Sequence, residues 1–232
     1  MKTLSGEMDK LNDELLKIAR YIEESLEKTI TSLIDRNEDM LNELKNVHLM
    51  IDLMCSSLEE KAIDLIGLFS PMGFDLKILA MALKISFSLN EMGRLINDIV
   101  KAISDFLKSP TLSYMDEVEK MAESTLVMIR KSIRSYVDMD ISLAEEVCRD
   151  DDFVDSIYMR LKSQILRSLK MGKESLNSHK LFSIIMSLER MADYATSIAE
   201  ATYYIITGEV RRCFGDSLEM LSEKVKRGEG KV

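Results

Sequence analysis

The sequence has few of the residues that reverse the chain direction. Only 9 of its 232 residues are glycine and only 2 are proline. Strands need turns, and turns depend on these residues because glycine permits, and proline fixes, the backbone angles that turns require. The scarcity therefore argues against a β-sandwich, a β-barrel and a doubly wound sheet. An apolar share of 46% is too high for a disordered chain, so we expect an all-α protein with a real core.

Long hydrophobic runs are missing as well. The most apolar stretch, Ile78 to Ile85, is short and contains Lys84, so it falls far below the length of a membrane span. Residues 1–7 lack the apolar stretch of a signal peptide. We therefore expect a cytoplasmic protein that does not insert into a membrane.

Cysteine and histidine are also scarce. Cys55, Cys148 and Cys213 are odd in number, far apart and free of any CxxC pair, so we expect reduced thiols rather than disulfides. Two histidines leave no persuasive Ser-His-Asp or Cys-His set, and no glycine-rich phosphate loop is present. With 31 basic and 40 acidic residues the net charge is −9, which disfavours nucleic acid as a partner.

The apolar residues that are present recur at three- and four-residue steps nearly throughout, which predicts amphipathic helices. Six such stripes begin at Met8, Leu41, Ile78, Val118, Val147 and Leu181. Pro71 and Pro110 must end helices because proline cannot continue them, and Gly208 is a plausible C-terminal stop. The chain after Gly208 carries only a weak stripe.

The stripes form two copies of one unit. At a shift of 103 residues Ile34-Asp35 matches Val137-Asp138, and Ile51-Asp52 matches Val154-Asp155. At a shift of 99 Leu89 matches Leu188, and Ile99 matches Ile198. We expect the four-residue difference to fall in the connection between the second and third helix of each copy, where length changes are tolerated.

This organisation predicts two tandem, pseudo-symmetric bundles of three long antiparallel helices, each helix roughly 30 residues long. The first bundle is expected at residues 1–109 and the second at 110–208. Residues 209–232 are expected to form a short tail, helical in part. The helices carry more apolar residues than the single row that faces a bundle core. We therefore also expect a homo-oligomer, most simply a homodimer.

An acidic cluster in the second copy is the main candidate for chemistry. Asp151 falls inside the apolar stripe of the fifth helix, and Asp155 follows one turn later. Glu189 and Asp193, four residues apart on the flank of the sixth stripe, share a helix face. If these two helices are neighbours, all four carboxylates converge.

Converging carboxylates repel one another by roughly 2–3 kcal/mol per pair at ~6 Å and an effective dielectric of ~20. A bound cation would turn this repulsion into attraction, and oxygen-rich clusters suit Mg²⁺, Ca²⁺, Mn²⁺ or iron. The alternative is a solvated acidic face that binds nothing. The residues alone leave both interpretations open.

The first copy differs at the same places. His48 replaces Asp151, Asp52 corresponds to Asp155, Asn90 replaces Glu189 and Arg94 replaces Asp193. Only one of four carboxylates remains, and a cation is added, so a full metal cluster is not expected there. Arg94 is expected to pair with Asp52 or Asp98, and His48 to be a core histidine rather than a ligand.

Three stretches of the chain resemble the PhoU family of cytoplasmic regulators of phosphate uptake. Residues 188–200, from Leu188 to Glu200, look like the third-helix signature of that family, including its Glu/Asp-x-x-x-Asp motif. Cys148 to Asp155 resembles the second-helix signature, and Leu68 to Lys77 the hairpin of the first copy. Together with the duplication, the resemblance covers nearly the whole chain.

The resemblance implies a metal, in some members an iron cluster, at this motif. Carried over to this chain, it implies Glu189 and Asp193 as ligands with Asp151 and Asp155 in support; the ion is expected to be iron, Mn, Mg or Zn. The first copy, Asn90 to Arg94, lacks both motif acids.

The resemblance also implies a non-enzymatic adaptor that contacts the ATPase of the phosphate ABC transporter and a sensor histidine kinase. It would damp transport and signalling when phosphate is plentiful. Two alternatives stand beside this function: a metal-dependent enzyme that uses the carboxylates of the second copy, and a helical scaffold with an unrelated client.

Overall fold

A computed structural model describes residues 3–107, 114–170 and 175–213, and the secondary structure of these ranges is helical with no strand. The helices are α1 (Leu4–Ile34), α2 (Glu38–Glu43), α3 (Val47–Phe69), α4 (Gly73–Phe106), α5 (Met115–Val137), α6 (Ile141–Lys170) and α7 (Ser175–Thr207). The predicted all-α class is thereby confirmed. No helix in the described ranges is both long enough and apolar enough to cross a membrane.

Helices α1, α3 and α4 form one three-helix bundle, and α5, α6 and α7 form the other. The duplication extends to the backbone: Arg36 and Met139, 103 residues apart, both adopt the left-handed conformation, with φ of 53° and 50°. The predicted boundary at 109/110, together with Pro110, lies outside the described residues. The helical part predicted for the tail beyond residue 213 lies outside them too.

The second helix, predicted to be continuous, is interrupted. Residues Leu44 to Asn46 form a turn that separates α2 from α3, whereas α6 runs unbroken through the equivalent positions. At a shift of 103, Asn42 and Asn46 stand where α6 has glutamate and arginine. Asparagine is the poorer helix former because its side chain competes for backbone hydrogen bonds.

The connection of α6 to α7, one of the two between which a four-residue difference was predicted, lies outside the described residues. In the first copy, three residues connect α3 to α4. Ser70, in the left-handed conformation (φ 46°), ends α3 directly before Pro71, as the sequence predicted.

The two bundles are joined chiefly by α4 and α7, which pack antiparallel. Lys77 lies over the ring of Tyr204 (5.4 Å), and the Phe87 ring meets the Tyr194 ring edge-on (6.4 Å). Between them the Lys84 Nζ donates to the backbone carbonyl of Ser197 at 3.4 Å. The buried apolar residues of both bundles form one continuous core.

A second contact between the bundles joins α1 and α5. The Nε of Arg130 donates to Glu23 Oε2 at 2.7 Å, and its Nη2 donates to Glu27 Oε1. These hydrogen bonds, together with the two negative charges, raise the pKa of Arg130 against a smaller opposing effect of burial. The two ion pairs therefore tie α1 of the first bundle to α5 of the second.

The expectation of three reduced thiols is wrong for two of them. Cys148 on α6 and Cys213 after α7 form a disulfide, while Cys55 is a buried free thiol. Sequence spacing could not predict this bond because 65 residues separate the two cysteines, and the fold alone brings them together.

Candidate metal centre

The candidate carboxylates lie on the facing sides of α6 and α7, as the stripe positions predicted. Asp151 is buried, with 5% of its surface exposed, and Val147 and Val154 on either side of it are fully buried. Asp155, Glu189 and Asp193 are half-buried. The sequence therefore places one carboxylate in the core layer and three at its edge.

Each of these carboxylates is harder to ionise than an isolated one. The pKa of Asp151 is raised to about 7, first by burial and then by the negative charges of Asp155, Asp193, Asp152 and Glu189. Burial also raises the pKa of Asp155, Glu189 and Asp193, with added repulsion from neighbouring carboxylates. The mutual effects show that the four side chains share one electrostatic environment.

The donor set suits a hard cation in chemistry and charge, since oxygen ligands that repel one another gain from a shared positive ion. In the described ranges, however, no three His, Cys, Asp or Glu side chains stand close enough to hold an ion as they are placed. The residue types therefore suit a hard cation. Binding would require the side chains of α6 and α7 to turn toward a common point.

Not every acid of the run belongs to the cluster. Asp150, next to Asp151, accepts a hydrogen bond from Lys131 Nζ at 2.7 Å, and Glu146 pairs with the same ammonium at 3.0 Å. Asp152 is exposed yet close enough to raise the Asp151 pKa. Successive helical residues point about 100° apart, so only one member of the acidic run can face inward.

The equivalent place in the first bundle does not fit a cation. The Nδ2 of Asn90 donates to Asp52 Oδ1 at 2.8 Å, and Arg94 lies 3.9 Å from the same carboxylate. Arg94 also pairs with Glu91 at 2.8 Å. The expected Arg94–Asp52 pair is present, and it neutralises the one carboxylate that this copy retains.

His48 differs from the expectation of a satisfied core histidine. It is half-buried, and its Nδ1 is buried without a hydrogen-bond partner, as is the Oδ1 of Asn90. Sequence position predicted the location of His48 but not its missing partner, because that depends on how α3 and α4 pack.

Similarity to known proteins extends over nearly the whole chain. The family model of the PhoU domain matches twice, over residues 15–103 and 118–202, which correspond to the two bundles. A PhoU homolog 2 of Thermotoga maritima, a phosphate-specific transport system accessory protein, is 29% identical over 94% of this chain and 93% of its own length. The homolog from Clostridium acetobutylicum, which carries the same accessory-protein name, is 30% identical over 90% of this chain and 96% of its own.

Solved structures agree on the fold. The crystal structure of the phosphate transport system regulatory protein PhoU from Streptococcus pneumoniae superposes with a TM-score of 0.85. It covers 90% of this chain and 99% of that protein at 24% identity. The duplicated three-helix bundle, the twofold match of the domain model and the nearly full-length relatives lead to one conclusion: the chain belongs to the PhoU family.

Proposed function

We propose that this protein is a cytoplasmic regulator of phosphate uptake and phosphate signalling that works as a non-enzymatic adaptor. Its partners are the ATPase of the phosphate ABC transporter and a sensor histidine kinase. The observation that carries the proposal is the twofold domain match along nearly the whole chain, since the similar proteins bear the names of phosphate transport accessory proteins. Long rigid bundles supply broad helical faces for such contacts.

The adaptor role is tested by deleting the gene and measuring uptake of labelled phosphate in phosphate-rich medium. We expect uptake to rise several-fold and to return to normal when the gene is restored. Unchanged uptake in the deletion strain would contradict the proposal and favour a scaffold with another client. Hydrolysis of phosphate esters by the metal-loaded protein, lost in the variant described next, would favour the enzyme alternative.

We also propose that the second bundle holds a metal ion through Asp151, Asp155, Glu189 and Asp193. Support comes from four carboxylates that raise one another's pKa across α6 and α7. A bound ion would supply positive charge that removes this repulsion and ties the two helices together. The first bundle is not proposed as a second site, because Arg94 already occupies the place of an added cation.

Elemental analysis of untagged protein tests the metal site and identifies the ion among iron, Mn, Mg and Zn. We expect bound metal in the wild type and its loss in the double variant Glu189→Ala/Asp193→Ala. The matched control is Asn90→Ala/Arg94→Ala, which changes the equivalent positions of the first bundle and should retain the metal. Equal metal content in the wild type and the Glu189/Asp193 variant would refute the assignment.

A homodimer is proposed from apolar residues left uncovered on α3. Leu49, Met50 and Leu53 are about half or more exposed (52%, 49% and 65%) and lie within one turn of each other. Such an uncovered patch is expected to be covered by another protein surface. Light scattering should give the mass of a dimer, and Leu53→Glu should convert it to a monomer; a wild-type monomer at high micromolar concentration would contradict the proposal.

A further inference from the structure

The chain folds back on itself after α7. Gly208 ends the helix with φ 77°, a conformation that side chains disfavour, and its amide donates to the Tyr204 carbonyl at 2.9 Å. The following residues run over α6 and α7 to Cys213, whose sulfur is bonded to Cys148 of α6. We refer to residues 208–213 as the return segment.

Besides the disulfide, the return segment is held mainly by polar contacts. Arg211 Nη1 lies 2.6 Å from Glu145 Oε1, and its guanidinium sits 5.2 Å from the centre of the Tyr203 ring. Arg211 remains about half exposed (51%), and Val210 is 76% exposed. Exposed ion pairs contribute little, and the segment buries little apolar surface, so the disulfide is its main anchor.

The return segment also donates hydrogen bonds to a buried carboxylate. The side chain of Glu200 on α7 is only 8% exposed, and both its oxygens accept from the segment. Oε2 accepts from Arg212 Nη1 at 2.6 Å, and Oε1 accepts from the amide of Cys213 at 3.1 Å. A buried charge needs such partners, so the position of the segment matters to the interior of the second bundle.

Beneath the segment lies a cleft of about 310 Å³ where α4 meets α7. Lys84 and Met81 of α4 line one wall and Tyr204 of α7 lines the other, while Arg211 and Arg212 of the return segment close it. Lys84 is half-buried, and the charge of Glu200 acts on it from across the cleft. The return segment, anchored by the disulfide, therefore forms one side of the cleft at the contact between the bundles.

We propose that Cys148–Cys213 is a reversible thiol–disulfide switch that clamps the return segment over the cleft in the oxidised state and releases it in the reduced state. Both cysteines are half-buried rather than enclosed, so a small reductant or a reductase can reach them. The proposal rests on the function argued above only for the cytoplasmic location, and its test on the purified protein does not depend on phosphate uptake. Disulfides in reducing compartments are typically transient or redox-sensing, which makes such a bond a candidate for regulation.

The chemistry is thiol–disulfide exchange with a dithiol. A thiolate of the reductant attacks one sulfur of the bond, forming a mixed disulfide and releasing the other cysteine as a thiolate that takes up a proton. The second thiol of the reductant then displaces the remaining cysteine. The protein gains two electrons and two protons as two thiols, and the reductant leaves as a disulfide; a small-molecule disulfide such as oxidised glutathione reverses the reaction.

Release changes the surface between the bundles. Once Arg212 and the Cys213 amide leave Glu200, Lys84, which lines the same cleft and is influenced by the charge of Glu200, is a cation able to pair with that carboxylate. The cleft then opens on the side of Tyr204 and Met81. Reduction thus exchanges a covered cleft for an open one without altering the packing of the six long helices.

The test is hydrogen–deuterium exchange of the full-length protein, equilibrated either with oxidised glutathione or with excess dithiothreitol, in native buffer. Thiols are counted in parallel by alkylation and mass spectrometry. We expect two additional thiols in dithiothreitol and at least tenfold faster exchange in residues 208–213, with α1–α7 unchanged within twofold. Resistance of the bond to the dithiol without denaturant, or unchanged exchange in the reduced segment, would overturn the proposal.

Variants separate a switch from a purely structural bond. Cys213→Ser should show fast exchange of residues 208–212 under both conditions, whereas the control Cys55→Ser, which changes the free thiol, should respond like the wild type. Trypsin should cleave after Arg211 and Arg212 at least tenfold faster in Cys213→Ser than in the oxidised wild type. General acceleration of exchange throughout α5–α7 on reduction would assign the bond to bundle stability and overturn the switch.

Discussion

Asp151 makes the stability of the second bundle depend on pH. Its pKa in the folded protein is about 7, against an ordinary value of 3.8, because it is buried beside other carboxylates. The folded state therefore holds a proton that the unfolded state releases. The free energy of unfolding of the metal-free protein should fall as pH rises from about 4 to 7, and it should level off above 7. This group alone should account for a fall of about 2–4 kcal/mol.

The variant Asp151→Asn removes this titration. In the presence of a chelator it should be more stable than the wild type at pH 8 and nearly equal at pH 4, as measured by thermal unfolding. The exposed neighbour Asp152→Asn is the control and should keep most of the pH dependence. An Asp151→Asn protein with the full wild-type slope would show that other groups carry the effect.

Gly93 and Gly67 form a matched pair in the first bundle. A Cβ at Gly93 would lie 2.9 Å from both Cδ1 and Cγ2 of Ile51, so α3 and α4 approach too closely there for any side chain. A Cβ at Gly67 would meet nothing within 4 Å. Gly93→Ala should cost about 1–3 kcal/mol through overpacking, whereas Gly67→Ala should gain about 0.5 kcal/mol through helix propensity. Denaturant unfolding of both variants measures the difference, and equal stabilities would contradict the close approach.

At the scale of elements, the sequence predicted six stripes and their breaks well because apolar periodicity and proline act locally. It missed the turn at Leu44 to Asn46, because the apolar stripe continues across it and the break depends on two asparagines. The sequence could not predict the Cys148–Cys213 disulfide, because the bond depends on tertiary packing.

The candidate site was predictable for a related reason. Asp151 sits at a core position of a stripe, so its burial follows from helical spacing alone. Helical spacing could not predict the partner of each group. Asp150 pairs with Lys131 and so lies outside the cluster, whereas the Nδ1 of His48 has no hydrogen-bond partner. Side-chain pairing depends on the neighbouring helix, which the sequence does not specify.

Helix α6 begins with a side-chain cap that can be removed cleanly. Asp140 Oδ1 accepts from the amides of Ser142 and Leu143 at 2.8 and 3.2 Å, which satisfies two donors at the helix start. Asp140→Ala should cost about 1 kcal/mol in thermal or denaturant unfolding. Asn46→Ala is the control, since Asn46 precedes α3 without a capping hydrogen bond, and it should change stability by less than ~0.5 kcal/mol. An equal loss in both would mean that the cap does not stabilise α6.

At the scale of the whole molecule, the two bundles share one core through α4 and α7. We therefore expect them to unfold together, since neither keeps its apolar face covered without the other. Hydrogen exchange across a denaturant series should show α3 and α6 losing protection at the same midpoint. Two midpoints separated by more than ~0.5 M urea would show instead that each bundle is a folding unit of its own.

The contact of Arg130 with Glu27 bears on the origin of the two-bundle chain. The two residues are 103 apart, so they occupy the same position of the two copies, and they touch each other. In a symmetric dimer of a single bundle, a residue on the twofold axis faces its own twin, and two glutamates or two arginines there would repel. Joining the copies in one chain allowed that position to differ between them. The axis, where two identical charged residues would repel each other, therefore carries an ion pair.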